Sequence, residues 1–261
     1  MAEPKPVTLI TGASAGIGAA LVQVFASHGH DLVLVARRTA QLDALAGAIE
    51  TLGFARPRII GADLTRADAP AQIAEELAAN ALEPNFVVNN AGFGLHGPAA
   101  ELDRTEQLAM IDLNARALTD LSLRFLDSLT RHRGGILNVA SIASFMPGPG
   151  FAVYYATKAY VLSFSEALHH ELKPKGVRVT ALCPGPVDTG FQARAGVPAG
   201  YFPANFNLDR SVERVSHDGY EGLMAGKRVV IPGFHSQLAA FLPRLAPRGL
   251  VLALMDRLRR D

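Results

Sequence analysis

Short runs of consecutive apolar residues recur along the chain and predict buried β-strands. Most of these runs lack the polar–apolar alternation of a strand with one face in water, so we expect helices to cover both faces of the sheet. The predicted strands cover residues 7–10, 32–36, 59–62, 86–89, 136–140, 177–182 and 229–231.

Segments with apolar residues at helical spacing lie between the runs. Residues 17–25 and 42–52 follow the i, i+4, i+7 pattern of an amphipathic helix. A long helix is predicted to begin near Leu108 and reach His132, and another runs from about 150 to 173 and stops before Pro174. The alternation predicts an α/β fold: a Rossmann-type, doubly wound parallel sheet of about seven strands with helices on both faces, in three α/β/α layers.

The chain shows no linker, repeat or low-complexity tract, so we expect a single domain over residues 1–261. One aromatic, proline-containing stretch around 191–210 has no clear period and is interpreted as a substrate lid, with a packed surface loop as the alternative. A helical tail is expected around 235–261. It could pack on a partner subunit or lie on a membrane surface, and the first is favoured.

Charge and cysteine content narrow the class of protein. The 25 Lys and Arg nearly balance the 24 Asp and Glu, which indicates no nucleic-acid partner. The one cysteine excludes an internal disulfide, and the eight histidines lack ligand spacing, so no metal is expected. No secretory signal is apparent, and the apolar stretch 249–255 is far shorter than the ~20 residues of a membrane span. A cytoplasmic protein without integral membrane association is therefore expected.

A glycine-rich turn follows the first predicted strand and precedes an amphipathic helix. This context suits a pyrophosphate, because glycines allow close approach and the helix start offers free N–H groups. The spacing Gly-x-x-x-Gly-x-Gly differs from the common dinucleotide fingerprint, and tight packing alone is the alternative. The predicted cofactor contacts here are Gly12, Ser14, Ala15, Gly16, Ile17 and Gly18.

Two arginines follow the second predicted strand. NAD enzymes of this architecture carry an acid at this place, which binds the ribose hydroxyls. Arg37 and Arg38 stand there instead, and guanidinium groups grip phosphate, so NADP(H) is preferred over NAD(H). The alternative is a solvated arginine pair at a helix start.

Together with motifs further along, the chain resembles the classical short-chain dehydrogenase/reductase family over about residues 7–191. The order and mutual spacing of these motifs are specific, although each is weak alone. They are the glycine turn, Asp63-Leu64, Asn89-Asn90-Ala91-Gly92, Asn114, Ser141, Tyr154-x-x-x-Lys158, and Pro184-Gly185 with Thr189.

The resemblance implies a hydride transfer between a nicotinamide and a carbonyl or secondary alcohol. Tyr154 would exchange the proton, Ser141 would hydrogen-bond the substrate oxygen, and Asn114 would anchor a water in the proton relay. Lys158 would hold the nicotinamide ribose, and its ammonium is expected to lower the pKa of Tyr154. Helical spacing alone does not separate Tyr154 from Tyr155, but the family pattern selects Tyr154, thirteen residues after Ser141.

Further cofactor contacts are implied by the same resemblance. Asp63 would contact the adenine amine through its side chain, or else act as a turn residue. Leu64 would contact the cofactor through its backbone, and Thr189 would hold the carboxamide. The remaining contacts are Asn90, Ala91, Gly92, Pro184, Gly185 and Val187.

The substrate and assembly are predicted more coarsely. The candidate pocket residues are apolar and aromatic, which suggests that the substrate is a hydrophobic small-molecule carbonyl or alcohol. Such residues could equally belong to an ordinary hydrophobic core. The family implies a homodimer or homotetramer through the helices that carry Asn114 and Tyr154. The competing functions are a non-catalytic NADP(H)-binding regulator and an epimerase or dehydratase. Pocket candidates are Phe93, Leu95, Met146, Phe151, Phe191, Tyr201, Phe202 and Phe206.

Overall fold

The computed structural model describes residues 3–198 and 211–260. Its centre is a seven-stranded sheet in the order β3-β2-β1-β4-β5-β6-β7, and all neighbouring strands are parallel. This confirms the predicted fold class. The strands are β1 (Lys5–Thr11), β2 (Leu32–Ala36), β3 (Arg58–Gly61), β4 (Leu82–Asn89), β5 (Gly135–Val139), β6 (Arg178–Leu182) and β7 (Val229–Val230).

Helices cover both faces of this sheet, as the unbroken apolar runs predict. Successive strand side chains point to opposite faces, so Leu9 and Ile10 of β1 belong to two separate hydrophobic clusters. The helices are α1 (Gly16–Ser27), α2 (Thr39–Thr51), α3 (Ala69–Ala79), α4 (Arg104–Ile111), α5 (Leu118–Arg124), α6 (Leu126–Arg131), α7 (Ala152–Leu172), α8 (Phe191–Ala195), α9 (Val212–Met224), α10 (Phe234–Phe241) and α11 (Arg248–Arg260).

The helical region predicted from near Leu108 to His132 is present, but it is not one uninterrupted α-helix. The helical region starts at Arg104, after Asp103 has capped the amide of Glu106, and a π-helical segment (Asp112–Ala117) separates α4 from α5. A further break at Phe125 separates α5 from α6. Periodicity cannot detect an inserted π turn, because the apolar spacing changes by one residue only. π-helical turns are frequent at functional sites.

Two further predictions concern the lid around 191–210 and the C-terminal tail. The aromatic residues Tyr201, Phe202 and Phe206 of the predicted lid lie outside the described residues, whereas its first part forms α8. The predicted helical tail contains α10 and α11. Across the residues that the structure describes, every helix is too short or too polar to cross a bilayer.

Candidate active site

A cavity of about 540 Å³ opens at the edge of the sheet where the parallel strands end. Ligands bind at this edge in open α/β sheets. All but two of the predicted catalytic and cofactor-binding residues line the cavity; the exceptions are Gly18 and Asn114. Both stand behind its wall, where they support residues that face it.

The glycine turn at the end of β1 forms a tight cradle. Gly12 and Gly16 have φ angles of 63° and 54°, values that favour glycine. A Cβ on Gly12 would lie 2.8 Å from the Cα of Ala91, and one on Gly18 would lie 2.2 Å from the carbonyl oxygen of Gly12. Gly18 therefore allows close packing of the turn. Ala15, the residue before α1, has no polar side chain to cap the first turn of this helix.

Asn90, just after β4, fixes the glycine turn to the sheet. Its side-chain amide donates to the carbonyl oxygens of Thr11 at 3.0 Å and Gly12 at 3.1 Å. The hydroxyl of Thr11 in turn accepts from the amides of Asn90 and Ala91. The ends of the two strands thus hold one another in register.

The arginine pair lies at the other end of the cavity. Arg37 and Arg38 are exposed, and the guanidinium of Arg38 donates to the hydroxyl of Ser14 at 3.1 Å. The neighbouring Asp63 accepts from the amide and hydroxyl of Thr65. Burial alone would raise the pKa of Asp63, but these bonds and the charge of Arg37 bring it below its usual value. Asp63 therefore acts as a turn residue, and its predicted contact with adenine stays a prediction.

Three side chains converge at the middle of the cavity. Ser141 follows β5 and caps a 3-10 turn (Ile142–Phe145), where it accepts from the amide of Ala143. Tyr154 and Lys158 lie one helical turn apart on α7. The hydroxyl of Tyr154 is hydrogen-bonded to Ser141. The buried Lys158 donates to the carbonyl oxygen of Val139 at 2.7 Å.

Tyr155, which periodicity did not separate from Tyr154, faces a different wall. Its ring lies against Gly148, where a Cβ would come within 2.5 Å of it. The ring of Tyr154 instead packs beside Gly94 and Phe191, with 5.2 Å between the two aromatic centres. The geometry therefore agrees with the family pattern in pairing Tyr154 with Ser141.

The expected lowering of the pKa of Tyr154 is wrong for this structure. Burial raises the pKa of the phenol, and the hydrogen bond from Ser141 only partly opposes this effect. Burial also lowers the pKa of Lys158 to about 8, because the enclosed ammonium loses hydration. Sequence spacing predicted the approach of the two groups, but it carried no information on how much water the surrounding protein excludes from each of them.

Asn114 lies in the π-helical segment, behind Gly92 and Phe93. Its side chain accepts from the amide of Phe93 at 3.1 Å, and donates to the carbonyl oxygen of Phe93 at 2.9 Å and the hydroxyl of Thr157 at 3.1 Å. A Cβ on Gly92 would lie only 3.0 Å from Asn114 Oδ1. Asn114 thus positions the cavity wall beside Lys158, and its contact with a water stays a prediction.

The loop after β6 closes the cavity. Pro184, Gly185, Val187 and Thr189 line it, and a Cβ on Gly16 would lie 3.2 Å from the methyl group of Thr189. The loop therefore meets the glycine turn across the cavity, as the carboxyl-edge position predicts.

The aromatic side of the cavity contains some of the predicted pocket residues and some others. Phe93, Phe151 and Phe191 line it, but Leu95 and Met146 are not among its lining residues. Arg194 covers the ring of Phe93 at 4.7 Å and pairs with Glu106 at 2.5 Å. The π turn and the fold of α8 determine this wall, and neither had a signal in the sequence. Lining residues absent from the predicted set include Leu113, Tyr155, Gln192 and Arg194.

Comparison with known proteins places this geometry in a family. The family model described as short chain dehydrogenase matches residues 6–197. Serine 3-dehydrogenase of Agrobacterium fabrum is 32% identical over 212 residues, which cover 80% of this chain and 82% of that protein.

Solved structures agree along almost the whole chain. A short-chain dehydrogenase from Sphingobium yanoikuyae in complex with NADPH is 35% identical, with a TM-score of 0.80 and coverage of 96% of this chain and 95% of that one. A bulky-bulky ketone specific alcohol dehydrogenase from Comamonas testosteroni is 29% identical, with a TM-score of 0.77 and coverage of 95% and 94%.

Proposed function

The chain belongs to the short-chain dehydrogenase family of oxidoreductases, and we propose that it uses NADP(H) to interconvert a hydrophobic ketone or aldehyde and its alcohol. The observation that carries the proposal is the meeting of Ser141, Tyr154 and Lys158 at the cavity that the glycine turn opens. A phenol, a hydroxyl and an ammonium together provide a proton donor, a partner for a carbonyl oxygen and a positive charge.

The cavity fits a dinucleotide on structural grounds. The Gly12 and Gly18 positions have no room for a side chain, and the N-terminal turn of α1 begins at the cavity wall. Such a cradle offers backbone N–H groups to a pyrophosphate. When bound, the nicotinamide would donate or accept the hydride. Lys158 and Thr189 would hold its ribose and carboxamide, as the family resemblance implies.

The preference for NADP(H) is supported by Arg38. Its guanidinium already lies against Ser14 at the cavity rim, and Arg37 adds a second positive charge. Two guanidinium groups and a hydroxyl suit the oxygens of a 2′-phosphate. The related Sphingobium yanoikuyae enzyme was solved with NADPH, which agrees with this assignment.

The proton chemistry follows from the state of the phenol. Because its pKa is raised, Tyr154 is protonated at neutral pH and can donate its proton to a carbonyl oxygen as the carbonyl carbon is reduced. Ser141 would hydrogen-bond the same oxygen and hold it against the phenol. In the reverse direction the phenolate form of Tyr154 has to accept the proton of the alcohol as the hydride leaves its carbon, and the positive charge of Lys158 would favour that form.

The substrate class is inferred from the aromatic wall. Phe93, Phe151 and Phe191 present apolar surface, and the cation beside them, Arg194, is already neutralised by Glu106. A neutral, bulky carbonyl compound fits this wall better than an anion does. The relative from Comamonas testosteroni is specific for bulky-bulky ketones, which supports the same class.

A spectrophotometric screen tests the proposed function. Neutral aromatic, alicyclic and long-chain ketones would be incubated with NADPH or NADH, and nicotinamide absorbance would be followed, with Tyr154→Phe as the blank. We expect oxidation of NADPH by several bulky ketones and much slower oxidation of NADH. NADPH binding without turnover of any ketone would instead support a cofactor-binding regulator.

A further inference from the structure

Helix α10 exposes its apolar side chains to solvent and buries its small ones. Phe234, Leu238 and Phe241 share one face at helical spacing, and Phe234 and Phe241 are 71% and 53% exposed. The opposite face, with Ser236 and Ala240, is buried against the protein. A helix on a water-exposed surface normally has the reverse arrangement. This inversion indicates that α10 contacts something besides water.

The exposed apolar surface continues into the following segments. Leu245 is 69% exposed in the connection, and Leu250 and Leu254 of α11 are 62% and 57% exposed. Val251 anchors α11 to the protein, so its exposed leucines are not the side by which it packs. We call the following set the C-terminal face: Phe234, Leu238, Phe241, Leu242, Leu245, Leu250, Leu252 and Leu254.

The charge of this region is strongly one-sided. Residues 234–261 carry five arginines but two aspartates, although the whole chain is nearly neutral. Arg244, Arg248 and Arg257 are exposed. In the part of the chain that the structure describes, the ion pairs include none of these three. Exposed apolar side chains beside uncompensated cations are complementary to a surface that is apolar and anionic.

We propose that the C-terminal face docks on the surface of an anionic phospholipid bilayer. Phenylalanine and leucine side chains would enter the boundary between headgroups and acyl chains, while the arginines contact phosphate groups. A second copy docking the same face would bring the arginines of both copies together, and like charges oppose such a pairing. The inference is independent of the proposed catalysis.

The C-terminal face lies next to the cavity, so docking would orient the molecule with the cavity on the side near the bilayer. Ser236 packs against Gly185, a cavity-lining residue, where a Cβ would come within 2.4 Å of the serine oxygen. The guanidinium of Arg244 lies 5.1 Å from the ring centre of Phe145, in the turn that Ser141 caps. Binding of a bilayer would therefore occur on the part of the molecule that carries the cavity.

Co-sedimentation of the full chain with vesicles tests this proposal. The probes are vesicles of phosphatidylcholine alone and of phosphatidylcholine mixed with phosphatidylglycerol. We expect binding to the anionic vesicles to be at least about tenfold stronger, and to weaken in high salt. The variant Phe241→Gln/Leu245→Gln should lose on the order of tenfold in affinity. Its matched control, Leu52→Gln/Phe54→Gln, removes the same residue types at the end of α2 and should bind as the parent does.

A charge variant provides a second, independent measurement. Arg248→Gln/Arg257→Gln changes two exposed side chains and should weaken binding to anionic vesicles without changing the weak binding to neutral ones. Absence of vesicle binding, or equal binding to both vesicle types, would overturn the proposal. It would also be overturned if Phe241→Gln/Leu245→Gln dissociated an oligomer in sedimentation velocity and left vesicle binding unchanged. In that case a second copy covers the face.

Discussion

The ammonium nitrogen of Lys158 lies 5.9 Å from the centre of the Tyr154 ring. The hydrogen bond of the ammonium goes to the carbonyl oxygen of Val139, and the pKa of the phenol is governed by desolvation, Ser141 and Tyr155. Desolvation is the largest influence on the pKa of each group, and neither group is a main cause of the other's shift. As a result, Tyr154 stays protonated and Lys158 titrates near pH 8.

Removal of the Tyr154 hydroxyl should slow turnover strongly but spare cofactor binding. Tyr154→Phe loses the proton donor, so kcat for ketone reduction should fall by about 10²–10⁴-fold. The dissociation constant of NADPH, measured by fluorescence titration, should stay within about threefold. Tyr155→Phe is the matched control, because its ring lies against Gly148, and its kcat should change by less than about tenfold. Equal losses in both variants would contradict the assignment.

Cofactor affinity should depend on pH through Lys158. Burial lowers the pKa of this amine to about 8, so the group is charged below that pH and neutral above it. If the ammonium holds the nicotinamide ribose, NADPH affinity should fall as the pH rises from about 7 to about 9.5. Lys158→Met should bind more weakly at every pH and show no such fall. A parallel decline in parent and variant would assign the titration to another group.

Arg38 should discriminate between the two nicotinamide cofactors. Arg38→Gln removes a guanidinium that would grip the 2′-phosphate, so the dissociation constant of NADPH should rise by on the order of tenfold to a hundredfold. That of NADH, which lacks the phosphate, should change by less than about threefold. Arg66→Gln serves as the control, since Arg66 is exposed and lies outside the cavity lining. An equal rise in the dissociation constants of NADPH and NADH would contradict the proposed preference for NADP(H).

The Glu106–Arg194 ion pair should determine whether the site prefers a neutral or an anionic substrate. Glu106→Gln keeps the shape of the pair but leaves Arg194 uncompensated beside Phe93. In this variant kcat/KM for a ketoacid should rise relative to that for its neutral amide. Because both side chains are half-exposed, the expected rise is only roughly threefold to tenfold. Arg194→Gln should abolish that gain. An unchanged ratio in Glu106→Gln would show that substrate does not approach this wall.

Much of the fold could be predicted from the sequence because its strands are buried on both faces. Such strands are continuously apolar, and the glycine turn of Gly12, Gly16 and Gly18 marks the first crossover. The position of the site could also be predicted, because residues at the carboxyl ends of parallel strands lie at the same edge of the sheet. Here the motifs after β1, β4, β5 and β6 all reach one cavity.

The remaining features depend on tertiary packing that has no sequence period. The π turn that sets Asn114 behind Phe93, and the approach of Arg194 to Glu106 over 88 residues of chain, could not be detected locally. The pKa of Tyr154 was predicted with the wrong sign, because spacing shows which groups approach each other but not how far water is excluded. For a buried pair, exclusion of water is the larger effect.

Isotope transfer tests the central claim most directly. NADPH carrying deuterium at both positions of nicotinamide C4 would be incubated with a bulky neutral ketone and the protein, and the alcohol product analysed by mass spectrometry. The proposed function predicts one deuterium on the carbinol carbon with the parent protein, and deuterium transfer at least about a hundredfold slower with Tyr154→Phe. Binding of NADPH without deuterium in the alcohol of any ketone tested, or equal transfer by Tyr154→Phe, would contradict it.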